Sequence, residues 1–285
     1  MSRYRYALIV FLGGACFGIL STVVKIAYAS GIDRTGVSSG QFFFGLLFLI
    51  PFAWRAWPRD MPARQILVLL AAGIPEGCTT IFYYHALESV SASLAVVLLF
   101  QYILIALLLE TVLHRAMPSR QKMLAVLLLL PGSVLASGVL SGHALAADAE
   151  GILYGLLAAA SYAITLFLNA TVGREVPSVC KATVMTCGSA LLTFLVLPPA
   201  FLFDGQAFLQ LLHYGLVLGV LGVTLPPLLF AIGIPHTGVG LAGILTSSEL
   251  VIAMLSAHFI LGEPVALMAW LGILMIFTGI VIGNR

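Results

Sequence analysis

Long apolar stretches interrupted by short polar punctuation run through the whole chain. Stretches of this length predict membrane-crossing helices, since a helix needs about 20 apolar residues to cross the hydrocarbon core. The pattern predicts ten of them, at 6–29, 36–54, 65–87, 91–113, 121–140, 151–172, 178–202, 209–233, 237–261 and 265–283. Turn and charge signals separate them, among them Trp57-Pro58-Arg59-Asp60, Met117-Pro118-Ser119-Arg120, Ser141-Gly142-His143, Gly173-Arg174-Glu175-Val176-Pro177, Phe203-Asp204-Gly205 and Gly262-Glu263-Pro264. The expected fold class is an all-α integral membrane protein of ten transmembrane helices.

The two halves resemble one another at a spacing of 145–148 residues. Gly14-Ala15-Cys16-Phe17-Gly18 matches Ala159-Ala160-Ser161-Tyr162-Ala163, and Phe82-Tyr83-Tyr84 falls on Leu228-Leu229-Phe230. Gln101-Tyr102-Ile103-Leu104 falls on Glu249-Leu250-Val251-Ile252. The expected organisation is a five-helix repeat over 1–145 and a second over 146–285. An odd number of crossings per repeat turns the second copy upside down, the inverted construction of secondary transporters.

Composition sharpens this picture: 61% of residues are hydrophobic and 8% charged. A water-soluble fold is excluded, and so is any role that needs a soluble domain, such as nucleic-acid binding. The net charge of +2 matters less than its distribution. With the amino terminus inside, Arg3, Arg5, Arg55, Arg59, Arg64, Arg115, Arg120, Lys122, Arg174, Lys181 and Arg285 fall on the cytoplasmic side, against Lys25 and Arg34 outside. Asp33, Glu88, Asp148, Glu150, Asp204 and Glu263 collect opposite. The expectation is a multi-pass protein of a bacterial inner membrane with both termini cytoplasmic. Arg3 and Arg5 before an apolar run ending in Ala27-Tyr28-Ala29 also suit a cleavable signal. That run is longer than a signal core and has a counterpart later in the chain, so it is expected to be retained.

Chemistry-bearing motifs are sparse. Cys16, Cys78, Cys180 and Cys187 form no Cys-x-x-Cys pair and are expected to be buried thiols rather than a disulfide or metal site. There is no His-Glu-x-x-His, no Gly-x-Gly-Asp and no Gly-x-x-x-x-Gly-Lys-Ser loop. Neither an intramembrane enzyme nor a nucleotide-driven pump is supported, and no cofactor or metal is expected. A lipid or lipid-linked-sugar flippase is the alternative to a carrier.

Two carboxylates stand out. Glu76, mid-span in Gly73-Ile74-Pro75-Glu76-Gly77, and Glu249, in Thr246-Ser247-Ser248-Glu249, would each cost about 2.5–3.5 kcal/mol if turned toward lipid. Each is expected to face the bundle interior, as a packing residue or as part of a transport site that binds a cationic solute group or a coupling proton. Gln101 occupies the position of Glu249 in the first repeat. Tyr83, Tyr84 and His85 edge the third span, Tyr102 follows Gln101, and Asn169 lies in the sixth span. With Ser248 and Gln41 these complete the candidate substrate-binding or proton-coupling residues, against the competing reading of packing and interfacial aromatics. Gly13, Gly14, Ala158 and Ala159 are expected to be helix-contact residues.

The chain resembles the EamA type of the drug/metabolite transporter superfamily over essentially its whole length. The resemblance rests on Ala257-His258-Phe259-Ile260-Leu261-Gly262-Glu263-Pro264 and on Trp270-Leu271-Gly272-Ile273-Leu274-Met275-Ile276-Phe277-Thr278-Gly279. Glu249-Leu250-Val251 is similar to the family's Glu-Pro-Val with Leu250 in place of proline, and His114-Arg115 stands where Gly-Glu would fall in the first repeat. Gln41 lies near a place where many relatives have Arg. The resemblance implies carriage of amino acids, their derivatives, nucleosides or other small metabolites, commonly by export.

Overall fold

The computed structural model describes residues 3–90, 92–115, 117–137, 148–262 and 266–284. Glu263 and Pro264, the Ser141-Gly142-His143 turn, Arg285 and the 145/146 repeat boundary lie outside these residues. Among the described residues there is helix and no strand. The first half contains α1 (Arg3–Ala29), α2 (Arg34–Ala56), α3 (Ala63–Ser89), α4 (Ala92–Leu99), α5 (Tyr102–His114) and α6 (Arg120–Ser137). The second contains α7 (Ala149–Thr171), α8 (Ser178–Val196), α9 (Gly205–Leu218), α10 (Leu225–Thr237), α11 (Val239–Thr246), α12 (Ser248–Leu261) and α13 (Leu267–Gly283). A hydrocarbon interior offers the backbone no partners, so the chain satisfies it within helices.

Among the described residues, 8 helical stretches are long and apolar enough to cross a membrane. The remaining two rods of the expected ten are α6, which opens on Arg120-Gln121-Lys122, and α13, an apolar helix of 17 residues. The span expected over 178–202 stops at Val196, because Leu197 precedes Pro198-Pro199 and is disfavoured from helical geometry. A short 3₁₀ turn, Ala200–Phe203, follows.

Two expected spans prove to be discontinuous, and a third carries a π-helical turn. The 91–113 span breaks at Phe100-Gln101 between α4 and α5, and the 237–261 span at Ser247 between α11 and α12. No proline causes either break. Side chains take helix carbonyls instead: Gln101 Nε2 donates to Val97 O at 3.1 Å, Ser247 Oγ to Ile244 O at 2.6 Å and Thr246 Oγ1 to Ala242 O at 2.9 Å. The 209–233 span is a longer rod with a π-helical turn, Gly219–Thr224, between α9 and α10. There Thr224 Oγ1 donates to Gly219 O at 3.0 Å and to Gly45 O of α2 at 3.2 Å.

Helix neighbours obey a two-fold rule. α3 packs on α7 and α8, just as the α9–α10 rod packs on α1 and α2; α1 packs on α12 and α11, just as α7 packs on α5 and α4. α2 with α8 and α6 with α13 pair across the axis, while α5 also packs on α11. Several contacts bring backbones together through glycine. A Cβ on Gly73 would collide with the Met185 carbonyl, one on Gly188 with the Leu70 carbonyl, and one on Gly18 would stand 2.5 Å from the Glu249 carbonyl. Gly14 serves the same purpose for α1 against Thr246, and Gly13 leaves room for the Phe230 ring.

The acidic residues gathered opposite the termini acquire a local cause. Asp33 Oδ1 accepts from Gly36 N at 2.9 Å, Asp148 Oδ1 from Glu150 N at 3.4 Å and Asp204 Oδ1 from Gln206 N at 2.9 Å. Each is the N-cap of a helix that starts at that end. At the other end, cations close the C-terminus of α7: Arg174 Nε donates to Ala170 O at 2.6 Å and Lys181 Nζ to Asn169 O at 2.7 Å.

Candidate functional site

Glu76 lies halfway along α3, between the two glycines that bring this helix against α8. Gly73 and Gly77 have no side chain to hold the helices apart, so Ser189 of α8 sits against the Glu76 turn. Ser189 Oγ donates to Gly73 O at 2.7 Å and approaches Glu76 Oε2 at 3.4 Å. The residue as a whole is partly exposed. Pro75 interrupts the ladder one residue earlier, and Thr79 Oγ1 donates to its carbonyl at 2.9 Å.

Glu249 is the second residue of α12, two positions beyond the break at Ser247, and it too is partly exposed. Its backbone is pressed onto Gly18 of α1 while its side chain stands toward tyrosines: Tyr83, Tyr102 and Tyr162 lie within its electrostatic reach. Tyr162 lies within reach of Glu76 as well. Its ring stands edge-on to Tyr102, with centroids 4.7 Å apart at 80°. Tyr102 Oη and Thr246 Oγ1 are 3.0 Å apart, so the two broken rods meet at their breaks.

The structure therefore brings Glu76, Glu249, Tyr83 and Tyr102 around one interior region. Among the described residues, neither glutamate has a Lys, Arg or His partner in an ion pair. Gln101, beside Tyr102 at the break, is partly exposed and bonded to its own helix. Tyr84 contacts Tyr28 of α1, with Arg34 in electrostatic range, which extends the polar lining toward the end opposite the termini. Gln41 is buried and its Oε1 has no hydrogen-bond partner among the described residues; it points to the π-helical turn, where a Cβ on Gly222 would stand 3.1 Å from it.

Other candidates fall elsewhere. His85 packs edge-on against Tyr154 of α7, with centroids 5.1 Å apart. Ser248 is fully buried and donates to the Phe11 carbonyl at 2.8 Å, fixing α12 to α1. Asn169 is buried, donating to Thr165 O at 3.1 Å and accepting from Lys181 through its carbonyl. Lys181, assigned by sequence to the charged cytoplasmic edge, is 1% exposed and inside the bundle, because the free carbonyls of α7 supply it with acceptors.

Sequence reasoning did not single out Tyr162 or Ser189 as site residues. Tyr162 reads as an ordinary mid-span aromatic, and its place in the repeat opposite Phe17 is the signal that marks it as central. Ser189 is one small residue among many, and only the glycine contact between α3 and α8 makes it a neighbour of Glu76. The four cysteines are unpaired, and among the described residues no group of three or more His, Cys, Asp or Glu side chains could hold a metal ion.

A bundle of apolar helices in two matching halves, with carboxylates turned inward at mid-rod, defines a membrane transporter. The chain matches the model of the EamA-like transporter family over residues 5–138 and again over 149–285, and it belongs to that family. It is 29% identical over 283 residues to a protein named "Uncharacterized transporter" from Archaeoglobus fulgidus, an alignment covering 99% of this chain and 97% of the relative. A solved crystal structure superposes with a TM-score of 0.78 at 19% identity, covering 99% of this chain and 96% of that one, which speaks to the fold alone.

Proposed function

We propose that this protein is a secondary carrier that moves a small metabolite, such as an amino acid, amine or nucleoside, across a bacterial inner membrane by alternating access. In this reading ten helices cross the membrane as two inverted repeats, both termini are cytoplasmic, and net transport is export coupled to protons. The carrying observation is the pair Glu76 and Glu249, one from each repeat, which share Tyr162 as a neighbour and have no cationic partner among the described residues. A carboxylate in this setting can hold either a proton or the cationic group of a solute, and exchanging one for the other couples the two fluxes. The two-fold packing supports the cycle, because two halves of one design can exchange conformations at similar energy.

The test uses protein reconstituted in vesicles and loaded with pooled metabolites. Glu76→Gln and Glu249→Gln preserve shape while removing the charge, so transport or its pH dependence changes while the protein still folds. Unaltered uptake, efflux and pH profiles in both variants would make the glutamates structural.

A further inference from the structure

At the end of the bundle that carries the termini, the rods are tied together by a contact the transport site does not use. α5 ends close to the start of α11, which opens on the glycine-bounded turn Gly238-Val239-Gly240 with φ +84° at Gly238. α11 has no side-chain cap of its own. The carboxylate of Glu110, from the other repeat, covers this start: a Cβ on Gly238 would stand 2.9 Å from Oε1, and one on Gly240 would overlap Oε2. Lys122 of α6 donates to Glu110 Oε2 at 2.5 Å, and both side chains are mostly buried. The positive end of the α11 dipole and the Lys122 ammonium thus converge on one carboxylate. Beside this point Tyr6 of α1 stacks flat on His236 at the end of α10, with ring centroids 3.8 Å apart. The seam below is tight, with Ala7 and Val10 buried and Gly233 against Val10. At the opposite end of α1, Ser21 and Lys25 are exposed.

The repeat carries this contact to the other end in altered form. The 148-residue offset that sets Gln101 on Glu249 also sets Glu110 on His258 and Lys122 on Trp270. These two rings meet edge-on, with centroids 6.0 Å apart at 86°.

We propose that Glu110, Lys122 and the Gly238-Val239-Gly240 turn form a latch that holds the termini-bearing end closed, and that His258 with Trp270 is its counterpart at the opposite end. The two gates then differ in kind. One is an ion pair seated on a helix terminus and the other an aromatic contact, so the two closed states are held with unequal strength. This rests on the alternating-access reading.

The latch is tested by labelling Ala7→Cys with a membrane-impermeant thiol reagent from the side of the termini, in a background lacking Cys16, Cys78, Cys180 and Cys187. Glu110→Gln keeps the shape and removes the charge, and it is expected to speed labelling about fivefold. Glu175→Gln, at the same end but outside the latch, leaves the rate within about twofold. Adding His258→Ala to Glu110→Gln weakens the opposite gate and returns labelling toward the original rate. Exchanging the pair as Glu110→Lys with Lys122→Glu restores an ion pair but sets a cation on the helix terminus, so labelling stays fast. Equal rates in Glu110→Gln and the parent overturn the latch, as does a further rise on adding His258→Ala, which would indicate general loosening. Labelling is read without solute, so normal transport in the Glu76 and Glu249 variants would remove the proposed site and leave the latch standing.

Discussion

Gly73→Ala tests how the fold positions Glu76. The added methyl would meet the backbone carbonyl of Met185, and a methyl on Gly188 would meet that of Leu70. Neither obstacle is a side chain that can rotate away, so α3 and α8 must separate. Overpacking of this kind costs about 1–3 kcal/mol, while alanine recovers up to about 1 kcal/mol of helix propensity. The net expectation is a loss of about 1–2 kcal/mol for either variant, a five- to thirtyfold fall in the folded-to-unfolded ratio. The two methyls enter the same interface, so the double variant loses less than the sum. Gly205→Ala is the control, since nothing lies within 4 Å of its added Cβ. Unfolding in mixed micelles, titrated with sodium dodecyl sulfate, reads the differences. If Gly73→Ala and Gly188→Ala unfold together with Gly205→Ala, the two helices are not in backbone contact and the link between Glu76 and Ser189 is lost with it.

Replacing Lys181 by Met removes the ammonium that closes α7 and is expected to lower stability by about 1 kcal/mol, read in the same titration; no change would show that the α7 carbonyls need no cation. Cysteines at Tyr83 and Gln101 react with a polar thiol reagent, while one at Asn169, buried beside Lys181, stays inert in this conformation; the reverse order would contradict the described interior. Reporter fusions at Asn284 and within 143–149 are expected to report cytoplasm and periplasm, and opposite signals would invert the proposed topology.

The membrane class, the rods and the likeness of the halves were legible because apolar length and order of residues are written along the chain. The inward placement of Glu76 and Glu249 was legible because a carboxylate in an apolar run has few places to go. The breaks at Phe100-Gln101 and Ser247 were not, since neither has a proline and the side-chain bonds to carbonyls found there also occur within unbroken helices. The burial of Lys181 was not legible for a related reason: a lysine near Gly173-Arg174-Glu175 looks solvated until the open end of α7 is seen beside it. Where Ser248 and His85 would sit was not legible either, since the Phe11 carbonyl and the Tyr154 ring that they meet belong to other helices.

In the proposed alternating-access cycle, the matched breaks would also decide how much of the molecule has to move. A continuous rod spanning the bilayer is a stiff lever, and tilting one end swings the other through lipid. In that cycle, cutting each such rod between a short and a longer helix would let α12 pivot against Gly18 while α11 stays anchored under Glu110, and would let α4 pivot while α5 stays put. The bilayer then has to accommodate the displacement of half-rods in one leaflet at a time, and the joint about which each turns lies beside the residues that would hold the cargo.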